Sequence, residues 1–302
     1  MPDHAGVPRI LLGTAADMEL QVYVAGVATA PDAVPAPRVT ITSEGGTVIA
    51  SDVVASPGIV ATKVKHTLTA AQLNQVNFLT AVWTLEMSDV AHTLTTYAQV
   101  VRELLFTLAD ARAYYGAVLG SSTTYPDATL IQMRDQITDA FADILGRSVG
   151  GHYGREILDG DGTTELELAS SRLTSVLSLK ARTFGSQTYT AFTAGELADV
   201  LVERSGRLTR ESLGVFEAGR QNIAVEYEHG LSPIPYELKQ AALRVARHFL
   251  VKSDLPDRAT SQTNEHGVMS FLSVAGKPGQ WFGIPDVDAA LSRYRRKLPG
   301  IG

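Results

Sequence analysis

Over most of the first hundred residues, apolar positions recur at every second residue. Beyond them, spacings of three and four appear, interleaved with further alternation. Glu19-Leu-Gln-Val-Tyr-Val24 puts Leu20, Val22 and Val24 on one face of a half-buried strand. Residues 38–42 and 47–50 flank Ser43-Glu44-Gly45-Gly46, whose glycines supply the positive φ of a hairpin turn. More strands are predicted over 58–64, 78–85 and 92–100. Pro31, Pro35 and Pro37 fall between strands, where a missing N–H costs no ladder bond. About seven short strands separated by turns predict a β-sandwich, with Trp83 a candidate for its centre.

Near Val101-Arg102-Glu103 the texture changes. Thr107 and Asp110 have capping-box spacing and open an apolar stripe of Leu108, Ala111, Tyr115 and Val118. Asp127 is placed to cap a second helix, whose stripe runs Leu130, Met133, Ile137, Phe141, Ile144 and Leu145 up to Gly146. Strands are predicted over 155–158 and 163–168, joined by Asp159-Gly-Asp-Gly162 as a hairpin signal, and again over 173–180, 187–191 and 222–228. Thr193 and Glu196 form a second capping box ahead of Leu197, Val200 and Leu201. Pro235 starts a helix with Leu238, Ala242, Val245 and Phe249 on one face and Arg247, His248 and Lys252 near its end. From about Lys252 the periodicity decays, apart from a short amphipathic stretch at 287–291.

Length and composition narrow the class. A chain of 302 residues with 45% hydrophobic and 19% charged residues is long enough for about two cored domains. It has no cysteine, which excludes disulfides and thiolate metal sites. Its formal net charge of −6 argues against a whole-chain nucleic-acid binder, although residues 277–302 carry five basic and two acidic groups, a local +3. No apolar run is long enough for a membrane helix. The start, Met1-Pro-Asp-His4, lacks the basic region of a secretion signal, so a soluble protein made inside the cell is expected.

No candidate chemistry forms a constellation. Gly146-Arg-Ser148-Val-Gly150 has the nucleophile-elbow spacing, but the serine follows a helix instead of a strand, so a helix C-cap is expected. Asp159-Gly-Asp-Gly162 fails the calcium-loop register, with Thr163, Thr164 and Ser170 at positions five, six and twelve; a weak cation site there stays open as an alternative to a plain turn. The seven histidines show no i, i+4 pair, and Gly276-Lys-Pro-Gly279 lacks the Ser or Thr of a phosphate loop. No enzyme, cofactor or metal is expected.

The stretch from about Phe106 to Leu250 resembles the head–tail connector (adaptor) proteins of long-tailed bacteriophages. The motifs stand in the family's order: Thr107-Leu-Ala-Asp-Ala-Arg112, then Gln136 to Gly146-Arg147, then Leu158-Asp-Gly-Asp-Gly-Thr163 with Leu166-Glu-Leu168, then Val225-Glu-Tyr-Glu-His-Gly230, then Ile234-Pro-Tyr-Glu-Leu-Lys-Gln-Ala-Ala242. The first hundred residues lie outside it and resemble the immunoglobulin-like decorations of phage virion proteins. The resemblance implies a multidomain chain: an all-β immunoglobulin-like sandwich (1–103), a mostly helical α+β connector domain (104–255) and an extended C-terminal arm (256–302). It implies a homo-oligomeric ring, typically a dodecamer, at the virion neck. The ring would sit beneath the portal protein and above a further neck or tail protein (a stopper or tail terminator), with DNA passing through the channel without specific binding and no membrane involved. In such proteins the C-terminal segment grips the portal. The groups available for that are Trp281, Phe282, Ile284, Arg293, Tyr294, Arg295, Arg296 and Lys297, with Phe271 and Leu272 adding apolar surface. The alternative is an accessory or adhesion protein whose β-sandwich binds a surface ligand and whose C-terminal part anchors it to the virion.

Overall fold

The alternating segments of the first hundred residues form β1 (Arg9–Leu11), β2 (Ala16–Gln21), β3 (Tyr23–Val24), β4 (Val27–Ala28), β5 (Arg38–Ser43), β6 (Val48–Val54), β7 (Ser56–Pro57), β8 (Lys63–Leu68), β9 (Asn77–Met87) and β10 (Val90–Val101). The structure is a computed structural model that describes residues 7–24, 27–33, 35–58, 62–183, 186–212, 214–251, 261–264, 267–270 and 281–295. One sheet runs β1-β10-β9-β5-β6, with β1 parallel to β10 and its other pairs antiparallel; a second runs β2-β8-β7, and β3 pairs with β4. Between the two larger sheets lies a core of Leu20, Val22, Ile41, Val64, Leu68 and Trp83. Trp83 is fully buried, and its Nε1–H donates to Thr96 Oγ1 at 2.8 Å, which satisfies the one polar atom of the indole. β9 and β10 are joined through Ser88 and Asp89, both at positive φ, the geometry of a two-residue primed turn. The strand predicted over 58–64 is displaced: its pairing begins at Lys63.

The helical signals begin where they were expected. Thr107 caps α1 (Leu108–Ala117) in a reciprocal box with Asp110. Thr107→Ala is expected to cost about 1 kcal/mol, read as a lower thermal midpoint, because an orphan N–H of the first turn loses its acceptor. Helix α2 (Asp127–Leu145) starts at Pro126 with no side-chain cap. Asp127 becomes its first residue and pairs with Arg112 at 2.6 Å. Gly146, at φ 65°, closes it.

Next comes a second β region: β11 (His152–Gly160), β12 (Glu165–Glu167), β13 (Leu173–Ala181), β14 (Thr190–Ala191), the one-turn helix α3 (Ala194–Ala198), β15 (Val200–Val202), β16 (Arg207–Arg210) and β17 (Gly219–His229). The sheets run β11-β17-β13-β14 and β12-β16-β15. They share a core of Leu166, Leu179, Leu208, Phe216, Val225 and Tyr227. The Asp-Gly turn therefore does not close a hairpin, since β11 pairs with β17 and β12 with β16. Val200 and Leu201, read as helical, lie in β15. The chain ends with α4 (Tyr236–Leu250), the hairpin β18 (Ser261–Asn264) and β19 (Gly267–Ser270), and α5 (Pro285–Tyr294).

These elements overturn the mostly helical reading of 104–255. Seven strands stand there beside four helices, and over the described residues as a whole strand exceeds helix. The caps and the Pro and Gly signals of helices are local and sharp. The strands of 152–229 alternate less cleanly, because β17 is buried along most of its length: Asn222 to Val225, Tyr227 and Glu228 are all covered. The extended arm also gives way over 285–294, which is a packed helix. The immunoglobulin-like reading of the first segment is untouched by this.

By its contacts the chain divides into two discontinuous units. The β unit comprises Val7–Glu103 and Gly150–Ser232; the helical unit comprises Leu104–Val149 and the described residues of Pro233–Gly302. Among the described residues the chain thus crosses between units three times, and in the β unit those three ends are tied to one another. Arg102 N–H donates to Gly151 O at 2.9 Å, Gly150 N–H to Leu231 O at 3.1 Å, and Ser232 Oγ to Glu103 Oε1 at 3.3 Å. Arg102 also forms a two-pronged ion pair with Glu228, through Nε to Oε1 and Nη2 to Oε2.

Candidate partner-binding surface

Helix α4 buries Leu238, Ala241, Ala242, Val245 and Ala246, a stripe at helical spacing. Helix α5 lies antiparallel along it. Arg244, midway along α4, pairs with Asp286 at the start of α5, and Arg293, at the end of α5, pairs with Glu237 at the start of α4 at 2.6 Å. Val287 and Leu291 are fully buried against α4 and α2. Both ion pairs are exposed and add little energy, but they set the register.

The entry to α5 has a local cause. Pro285 takes the first helical position, and Asp286 and Asp288 stand in the first turn. Buried Asp288 accepts the N–H of Phe282 at 3.0 Å and of Gly283 at 3.1 Å. Gly283, at φ 69°, makes the turn that this requires. Phe282 is thereby set edge-on against Phe141 at 5.6 Å and Phe249 at 6.5 Å.

The residues nominated for a partner separate into two groups. Phe282 and Ile284 are half-buried in the helical unit, and half-buried Trp281 lies under Arg295, whose Cζ is 5.6 Å from the ring centroid. Arg293 and Arg295 are exposed and Tyr294 is half-exposed. Arg296, Lys297, Phe271 and Leu272 lie outside the described residues.

Sequence reading missed the most exposed aromatic groups of the helical unit. Tyr115 and Phe249 were read as core positions yet are 68% and 59% exposed, and Tyr236 is 74% exposed. Tyr115 leaves the core because α1 breaks over Tyr114 to Gly116, where Tyr115 and Gly116 are left-handed. A concavity of about 340 Å³ lies between α4 and α5, floored by Ala241, Val287 and Ala290 beside Tyr236. A larger one, about 560 Å³, is lined by Tyr114, Tyr115, Arg244, Arg247, His248 and Ile284. The proximity of Gly116 to an aromatic pair was the available signal for the break.

Ser148 follows the α2 C-cap and precedes β11, the reverse of a strand–serine–helix elbow. Ser148→Ala is expected to change stability by less than about 0.5 kcal/mol and to leave assembly unaltered. Covalent labelling of that serine by a hydrolase probe would overturn this. Among the described residues no group of three His, Asp or Glu could hold a metal ion. Hydrogen bonds from Thr163 lower the Asp161 pKa, and hydrogen bonds from Ser212 lower that of Asp199; both carboxylates shape turns. Burial pushes the Tyr153 and Tyr227 phenols well above their ordinary range. None of these groups is poised for proton transfer near neutral pH. No helix among the described residues is long and apolar enough to cross a membrane.

No known protein family and no curated protein matches this chain. Among solved structures, it is similar to a chain from the neck of an empty gene transfer agent particle with C6 symmetry, at 15% identity and a TM-score of 0.40, covering 66% of this chain and 93% of that one. A chain from the virion of a native gene transfer agent particle gives 16% identity and a TM-score of 0.40 with the same coverage. One from the native neck with C12 symmetry gives 15% and 0.37, covering 65% and 96%. At these TM-scores the likeness by itself says nothing about this chain.

Proposed function

We propose that the protein is a non-enzymatic structural component of the neck of a phage-like particle, a head-to-tail adaptor that forms a ring below the portal around a channel for DNA. The observation that carries this reading is the placement of the family-like motifs on elements in the family's order. The capped Thr107 helix, the helix closing at Gly146-Arg147, the strand ending at Gly230 and the Pro235-started helix all form where the resemblance requires them. The three helices, together with α5, belong to one unit. The acidic balance of the chain suits a conduit through which DNA slides, since dense phosphate-contacting cations would hold it. The outer side of α5, with Arg293, Tyr294 and Arg295, is the face proposed to meet the portal, followed by Arg296 and Lys297.

The test is the mass and location of the intact chain. A closed ring at portal-like copy number in solution, and density at the neck in labelled particles, are expected. A chain that stays monomeric at every concentration, or a label at the tail tip or capsid surface, would sink the adaptor reading; the second result would favour the accessory or adhesion role. The full chain is needed for this, because removing residues 1–103 would strip Glu228 of its ion-pair partner.

A further inference from the structure

The cavity beside the broken end of α1 is built at a cost that its own burial does not offset. Tyr115, Gly116 and Ala117 all have positive φ, at 48°, 71° and 59°, and two of the three carry a Cβ. Such backbone is unfavourable for residues other than glycine and persists where surrounding structure or function demands it. Tyr115 gains no compensating burial, being mostly exposed. It is instead presented under Arg247, whose guanidinium carbon lies 4.4 Å from the ring centroid.

The charge of the cavity is unbalanced. Asp286 is the acid in its lining, and Arg244 engages it while also donating to the Tyr114 hydroxyl. Arg247 has no ion pair among the described residues, and its Nε is sealed from solvent without an acceptor. The planar guanidinium on an aromatic face is pre-oriented for a carboxylate.

The β unit carries an exposed stretch of opposite charge. Asp161, on the turn that leads into β12, and Glu165 and Glu167, on β12 itself, are all exposed, and Arg207 answers the last two, at 3.0 Å from Glu165 and 3.3 Å from Glu167. Asp161 accepts the Thr163 N–H and hydroxyl, and Gly162 sits at φ 83°, so the turn is locally fixed.

We infer that the acidic turn 161–167 of one copy seats in the Arg247 cavity of the next copy, a head-to-tail contact of the kind that closes rings. The inference rests on the ring reading above. The two surfaces differ, so the contact is heterologous, and repeated with the right rotation it closes. A chain of net charge −6 repels its own copies in general, so a local meeting of opposite charges is what selects one docking register.

The test uses two charge reversals in the intact chain, Arg247→Glu and Glu167→Lys, with Arg247→Gln as a milder control. Thermal unfolding checks that each variant folds. Each reversal alone should raise the concentration for half-assembly at least about tenfold, a loss of roughly 1.4 kcal/mol per contact. An equimolar mixture of the two reversals should recover assembly, because every junction in an alternating ring is then complementary. Folded variants that assemble like the parent chain, or a mixture that recovers nothing, would overturn the inference while leaving the ring intact. Unchanged assembly with weakened DNA retention in Arg247→Glu would reassign the cavity to phosphate and likewise overturn it. A parent chain that never assembles removes the ring reading itself.

Discussion

Arg102→Ala is expected to destabilise the β unit by about 3 kcal/mol, seen as a shift of its unfolding midpoint in denaturant. Glu228 is 0% exposed, and its two oxygens are both taken by the Arg102 guanidinium. Removing that partner leaves a carboxylate with neither water nor a cation. The side chain of Arg102 is 45% exposed, which screens the pair and places the cost at the lower end of the range for broken buried pairs. Arg102→Lys should recover only part of the loss, since an ammonium cannot reproduce the fork. Arg102→Met combined with Glu228→Leu should recover most of it, because the cost lies in the orphaned charge. A midpoint shift below about 1 kcal/mol for Arg102→Ala would show that Glu228 finds water or another donor. The pair also has no room beside it: a Cβ at Gly151 would fall 2.2 Å from Glu228 Oε1 and 2.8 Å from Arg102 Cβ.

Ending the chain at residue 277 is expected to unfold the helical unit instead of producing a folded protein that merely lacks an arm. The deletion removes Val287 and Leu291, both fully buried, and takes Phe282 away from Phe141 and Phe249. Each large-to-small change at such a site costs about 2–5 kcal/mol, and the deletion combines several. Leu291→Ala is the finer probe, expected to cost about 3 kcal/mol in thermal or denaturant unfolding. Because it leaves Arg293, Tyr294 and Arg295 in place, it separates stability from partner contact. Arg293→Gln with Arg295→Gln addresses the contact instead and should cost less than about 1 kcal/mol of stability, as the Arg293–Glu237 pair is exposed and neutral glutamines add no repulsion. If the chain ending at 277 keeps its helical content and its unfolding midpoint, α5 is a docked appendage and not part of the core.

The local signals were legible one element at a time. Thr107 with Asp110, and Thr193 with Glu196, announced helix starts, because a cap is written within four residues. Gly146 announced a helix end, and Gly46 a hairpin turn, for the same reason. Trp83 was placed in a strand and became the centre of its sandwich. The amphipathic stretch at 287–291 was visible as a short one. Its start signals, Pro285 with Asp286 and Asp288, make it a helix of ten residues, with buried positions at 287, 288, 290 and 291.

What the sequence determined by itself was therefore the identity of most elements: caps, turns and alternation act between neighbours and need no partner from elsewhere. The tertiary structure decided the assembly. It sent β11 to β17 and β12 to β16, although the Asp-Gly turn between them invited a hairpin, because each strand could bury its apolar face only in a different sheet. It gathered Gly150–Ser232 with Val7–Glu103, across forty-six intervening residues, through an ion pair between positions 126 apart in sequence. It folded α5 onto α4 and α2, and it left Tyr115 and Phe249 outside the core. No window of neighbouring residues contains those choices. Each depends on which distant surface is available to exclude water, and pairing, burial and charge are settled there together.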